Sequence, residues 1–169
     1  MKKILLLSLT MALTFGFVFM SAGISPAAAE NSKLLQFDNM VGAPQALTGS
    51  QNPIRGINGG GLPWTIGSSH GFLKENGRLV VIVHGLVFAA GPNTGKNTIP
   101  FFRAIVSCLD SSGNVVNITT DQFPATVGAA SEGGGDVEIE TTLSLPQTCI
   151  APLIFVTSPG GAWFATIGK

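Results

Sequence analysis

The chain has 169 residues, of which 45% are hydrophobic and only 11% charged, nine basic residues balancing nine acidic ones. The apolar content excludes intrinsic disorder, and sparse, balanced charge excludes the clustered Lys and Arg that DNA or RNA binding requires. A single domain is expected at this length.

The chain opens as an export signal. Lys2 and Lys3 precede a mostly apolar run over residues 4–20, Ser25-Pro26 breaks it, and Ala27-Ala28-Ala29 supplies the small residues a signal peptidase accepts. Residues 1–29 are therefore expected to be a secretory signal peptide, with an uncleaved anchor as the competing reading, since the run approaches the ~18 apolar residues that could span a bilayer. No Cys lies near the cleavage region, which disfavours a lipid anchor. Beyond residue 29 no apolar run is long enough to cross, so no membrane span is expected in the mature protein. With seven basic and nine acidic residues, that portion carries a formal charge of −2.

Residues 30–62 are weakly patterned and rich in Gly, Pro, Asn and Gln, with one strand expected around residues 34–40. Gly56-Ile57-Asn58-Gly59-Gly60-Gly61-Leu62-Pro63-Trp64 has neither the glycine spacing of a dinucleotide fingerprint nor the Lys-Ser or Lys-Thr of a P-loop. It reads as a loop leading to Trp64, whose indole either anchors that loop in the core or, if exposed, stacks on a sugar. Gly67-Ser68-Ser69-His70-Gly71 fits the G-x-S-x-G pattern of hydrolase nucleophiles, but no helix of the required length follows, so a polar turn is expected there.

From residue 78 onward short strands alternate with turns. Residues 79–88 are apolar on both faces, with Leu79, Val81, Val83 and Val87 on one side and Val80, Ile82, Leu86 and Phe88 on the other. His84 sits within this run as an expected core histidine; a general base would need a partner to orient its ring, and the sequence identifies none. Residues 100–109 are similarly apolar on both sides, with Arg103 between Phe101 and Ile105 either snorkelling, pairing with a carboxylate or reaching a ligand. Strands apolar on both faces need a further cover: the N-terminal segment, a long loop or another molecule.

Ser111-Ser112-Gly113-Asn114 signals a turn into the β-branched run 115–119, where Asn117-Ile118-Thr119 matches a glycosylation sequon that matters only in a eukaryotic host. Residues 136–145 alternate strictly, with Val137, Ile139, Thr141, Leu143 and Leu145 on one face. Asp136, Glu138 and Glu140 are spaced for a weak calcium candidate, against the default of a solvated strand face that blocks edge pairing. Runs 152–157 and 162–167 flank Ser158-Pro159-Gly160-Gly161 as a hairpin, with Trp163 in the second arm. Cys108 and Cys149 are the only cysteines and are expected to form one disulfide outside the cytoplasm. No helix is expected in the mature part.

The expected architecture is all-β: a single antiparallel β-sandwich of about seven strands, immunoglobulin-like or related, over residues 63–169. The segments Gly59-Gly60-Gly61-Leu62-Pro63-Trp64, Pro100-Phe101-Phe102-Arg103-Ala104-Ile105-Val106-Ser107-Cys108, Leu145-Pro146-Gln147-Thr148-Cys149 and Gly161-Ala162-Trp163-Phe164-Ala165 together resemble a group of small secreted bacterial β-rich proteins. The resemblance implies bacterial secretion and a single domain, and brings no activity, ligand or catalytic residue with it.

Three functional readings follow. The first is a non-catalytic extracellular or cell-envelope protein with a structural or binding role, whose doubly apolar strands and low charge favour self-association or partner contact. The alternative is a carbohydrate-binding module using an exposed Trp64 or Trp163. The third, a small secreted hydrolase, needs a cleft joining His70 or His84 to Ser and carboxylate groups. No cofactor and no catalytic residue is assigned.

Overall fold

The computed structural model describes residues 32–167. The expected leader and its cleavage site lie outside them. In chain order the strands are β1 (Lys33–Phe37), β2 (Met40–Gly42), β3 (Trp64–Thr65), β4 (Ser68–Lys74) and β5 (Arg78–His84). Next come β6 (Val87–Phe88), β7 (Lys96–Asn97), β8 (Phe101–Leu109), β9 (Val115–Thr119) and β10 (Phe123–Pro124). The series closes with β11 (Gly128–Ala129), β12 (Val137–Thr142), β13 (Ile150–Thr157) and β14 (Trp163–Ile167). Only two short 3₁₀ turns, Gln45–Leu47 and Ala130–Glu132, interrupt this all-β pattern among the described residues.

All ten named strand pairs are antiparallel. One sheet has the order β1-β4-β5-β12; a second runs β10-β8-β13-β14-β2, with β9 also beside β8. The ribbons β3-β6 and β7-β11 complete the count of fourteen, twice the expected number because several are bridges of two residues. The strand expected around residues 34–40 is two: β1 joins the first sheet and β2 the second, with Asp38-Asn39 as the corner between them.

Period-two alternation sets the core. Leu73, Leu79, Val81, Val83 and Ile139 point inward from the first sheet, and Phe102, Ala104, Val106, Ile154 and Val156 are equally buried in the second. Trp64 fills the end of this core, stacked on Phe164 at 4.0 Å between ring centroids, 4.1 Å from Phe88 and edge-on to Phe102 at 6.3 Å. Gly60 makes the stack possible: a Cβ there would lie 2.9 Å from the Phe164 ring.

The two doubly apolar runs meet different fates. In β8, residues Phe102 through Cys108 are all buried except Arg103, which is half-buried. The irregular N-terminal segment covers its second face: Trp163 N donates to Asn58 O, Gly60 N to Trp163 O and Arg55 Nη1 to Ser107 O, while Ile57 and Ile105 are both buried and line one small cavity. The run 79–88 is not one strand, because Gly85 adopts φ 67° and separates β5 from β6. Within β5, Val80 and Ile82 stay half-buried on the outward face, flanked by Phe72 and Glu140 and by His70 and Glu138.

Asp110 closes the turn into β9. Its carboxylate accepts hydrogen bonds from Asn114 N, Asn114 Nδ2 and Ser112 N, and these hold its pKa below the ordinary carboxylate value, with Asn114 contributing most. A lowered folded-state pKa means that this contribution is complete above the ordinary carboxylate range and disappears as pH falls through the folded value. Amide resonances of Ser112 and Asn114, followed on acidification, are expected to move with a midpoint below that of an unperturbed Asp. A midpoint at or above it would remove the turn-closing role.

Candidate functional site

A cleft of about 670 Å³ opens where the two sheets part. Leu35 and Phe37 of β1, Leu153 of β13 and Ile167 of β14 give it apolar walls; Asp38 and Arg55 supply charge. This volume lies within the range of small-molecule sites.

Two backbone exceptions meet in this cleft. Arg55 (φ 50°) and Ala151 (φ 46°) are the only non-glycine residues with positive φ among those described, and both line it. Arg55 arises from a tight turn: Ile54 N donates to Ile57 O and Ile57 N to Ile54 O, placing Arg55 and Gly56 (φ 77°) at the two central positions. Positive φ at both positions is the pattern that Asn-Gly fills with least strain, so Arg at the first costs about 1–2 kcal/mol. Ala151 lies in an irregularity of β13, where its register against β8 shifts between Ile150 and Leu153. The two positions are tied together, Arg55 Nη2 donating to Ala151 O at 2.9 Å. With Nη1 directed to Ser107 O at 3.4 Å, three of the five guanidinium N–H donors have no partner among the described residues.

A second constellation sits on the outward face of the first sheet. His84 Nδ1 lies 3.0 Å from Asp136 Oδ2, and Gly85 N donates to Asp136 Oδ1 at 2.9 Å. Asp136 is thus the ring-orienting partner that the sequence did not identify. Rather than lying in the core, His84 is exposed, its side chain 55% accessible, because β5 ends there. Ser68 of β4 pairs with His84 of β5 in register, and Asp136 stands just before β12. Around them the N–H groups of Gly67, Gly85 and Gly133 donate to His84 O, Asp136 Oδ1 and Ala130 O. The His84–Asp136 pair ties the end of β5 to the residue that precedes β12.

Several expectations need correction. Gly67-Ser68-Ser69-His70-Gly71 is not a turn: Ser68 to Gly71 belong to β4, and Ser69, the residue matching the nucleophile, is buried. Of the weak calcium candidates Asp136, Glu138 and Glu140, Asp136 is bonded to His84 and Gly85 and Glu140 pairs with Arg78 at 2.6 Å. No metal-holding group of three or more His, Cys, Asp or Glu residues exists among the described residues. Neither indole is available to a sugar, since Trp64 is 3% and Trp163 1% exposed. The anchoring alternative therefore describes both tryptophans. Arg103 is half-buried and donates from Nη1 to Pro159 O at 3.1 Å, pinning the Ser158–Gly161 loop. Cys108 and Cys149 are joined as expected.

No family model, curated protein or solved structure matches the chain. Fold and geometry define it as an antiparallel all-β protein with one disulfide and an apolar cleft guarded by an arginine. Among the described residues no helix is long and apolar enough to cross a membrane.

Proposed function

We propose that this chain is an exported, non-catalytic β-sandwich, bacterial in origin, that works by contact in the extracellular space or cell envelope, with its copies associating through β9. The observation that carries the reading is the contrast between strand edges. β12 is guarded by Glu138 and Glu140, β1 by Lys33, β10 by Pro124, and β2 is three residues long. β9, Val-Val-Asn-Ile-Thr, has neither charge nor Pro, and among the described residues it pairs with β8 alone. Such an edge presents unpaired N–H and C=O groups to any compatible strand.

A second copy is the occupant that fits. An antiparallel strand paired with itself across a two-fold axis near Asn117 closes a dimer and continues the larger sheet. Exposed Val115 and Ile150, in register on either side of Leu109, add an apolar row beside that edge. Few charges oppose the approach.

Sedimentation velocity of residues 30–169 over a wide concentration range is expected to reveal a dimer. Placing Lys at the exposed positions Val115 and Thr119 should return it to monomer, with the melting temperature shifted by no more than about 2 °C, as for ordinary surface substitutions. A wild-type monomer at every concentration, or a dimer indifferent to both lysines, overturns the reading.

A further inference from the structure

We infer that the cleft between β1 and β13 binds a linear amphiphile carrying a single carboxylate, its chain on Leu35, Leu153 and Ile167 and its head on Arg55. Arg55 touches β9, its carbonyl accepting from Asn117 Nδ2 at 3.1 Å, but binding in this cleft does not require association.

The argument begins with the cost of Arg55. A φ of 50° at the first central position of its turn favours Gly or Asn, and Gly56 already occupies the second. An arginine placed there brings a guanidinium to the cleft mouth. Its bonds to Ala151 O and Ser107 O fix the planar group and leave three donors without a partner among the described residues. A half-buried guanidinium held in a known orientation matches a carboxylate in shape as well as charge.

The remaining walls define the rest of the ligand. Leu35, Phe37, Pro152, Leu153 and Ile167 offer alkyl and aromatic surface, while Gln36, Asp38 and Asn39, which also line the cleft, are exposed at its rim. An unbranched hydrocarbon chain removes that surface from water without leaving an unpaired donor of its own. Asp38 lies on the same rim and is exposed, so each further negative charge on a ligand adds repulsion. One carboxylate on an apolar tail matches the guanidinium and the apolar wall together.

Decanoate below its micelle concentration is the probe, followed by calorimetry and by amide and Arg Nε shifts of the 30–169 chain. Saturable one-to-one binding is expected, with shifts confined to residues 35–39, Arg55, residues 151–153 and Ile167. Decanol and decyltrimethylammonium should bind about tenfold or more weakly, since neither offers a carboxylate. Arg55→Gly is the informative variant, because glycine accepts the turn's φ: decanoate affinity should fall at least about tenfold while the melting temperature is held or raised. Arg55→Lys keeps the charge but loses the fork, and should bind with intermediate affinity. No binding to wild type, equal binding of decanol, shifts mapping elsewhere, or an Arg55→Gly variant that binds decanoate undiminished would each overturn the assignment.

Discussion

Trp64→Ala is expected to lower the unfolding free energy by about 3–5 kcal/mol, the range for truncating a large aromatic in a packed core. The indole is 3% exposed and in contact range of three aromatic rings, so removal leaves a void lined by Phe88, Phe102 and Phe164. Those residues come from β6, β8 and β14, and a single side chain therefore joins a ribbon to the larger sheet. Relaxation cannot close the void cheaply, because Gly42 and Gly60 already hold the surrounding backbone close. Trp64→Phe should cost much less, on the order of 1 kcal/mol, for a specific reason. Trp64 Nε1 is buried without a hydrogen-bond partner among the described residues, so phenylalanine gives up volume but no bond there. Chemical denaturation of the two variants tests this directly. If Trp64→Ala costs under about 1 kcal/mol, or if acrylamide quenches Trp64 emission as freely as an exposed indole, the core-anchor role is wrong.

What could be read in advance follows a physical dividing line. Residues 137–142 were legible because one face is buried and one is wet: Val137 and Ile139 enter the core while Glu138 and Glu140 stay in solvent. The hairpin of β13 and β14, the turn before β9 and the disulfide were legible for similarly local reasons. The cover over β8 was foreseen only as one of three alternatives, since residues 43–62 pack without regular period. Gly85 was visible within the run 79–88, and its positive φ explains why that run divides. The pattern match at residues 67–71 failed as a turn because Ser69 and Gly71 alternate with His70 and Phe72, a strand period hidden among small polar residues.

The candidate site was the least legible part. His84 and Asp136 are 52 positions apart and meet only because β5 and β12 pair with Val83 opposite Val137. Register of that kind is set by the packed sheet rather than by either segment. Arg55 offered one usable sign, the Arg-Gly pair between Ile54 and Ile57, which suggests a tight turn with left-handed backbone. Nothing local predicts that its guanidinium reaches Ala151, 96 residues away, or that Ala151 is also left-handed.

The disulfide carries the second large effect. Cys108 is fully buried at the end of β8, and Cys149 immediately precedes β13, the strand that β8 pairs with through Ile150 opposite Leu109. The cross-link therefore joins strands that the fold already places side by side, so its main expected action is on the unfolded chain. A sequence separation of 41 residues gives about 4 kcal/mol in the loop-entropy model. The enclosed segment includes β9 through β12, whose contacts with β5 and β8 link both sheets. Replacing both cysteines with alanine is accordingly expected to lower the melting temperature by on the order of 10 °C, with β9 through β12 still assembled below that temperature. Reduction of the wild-type protein should produce a similar loss, less whatever cavity the alanine pair introduces at buried Cys108. A melting temperature within about 2 °C of wild type after both treatments would show that residues 110–148 are held by packing alone.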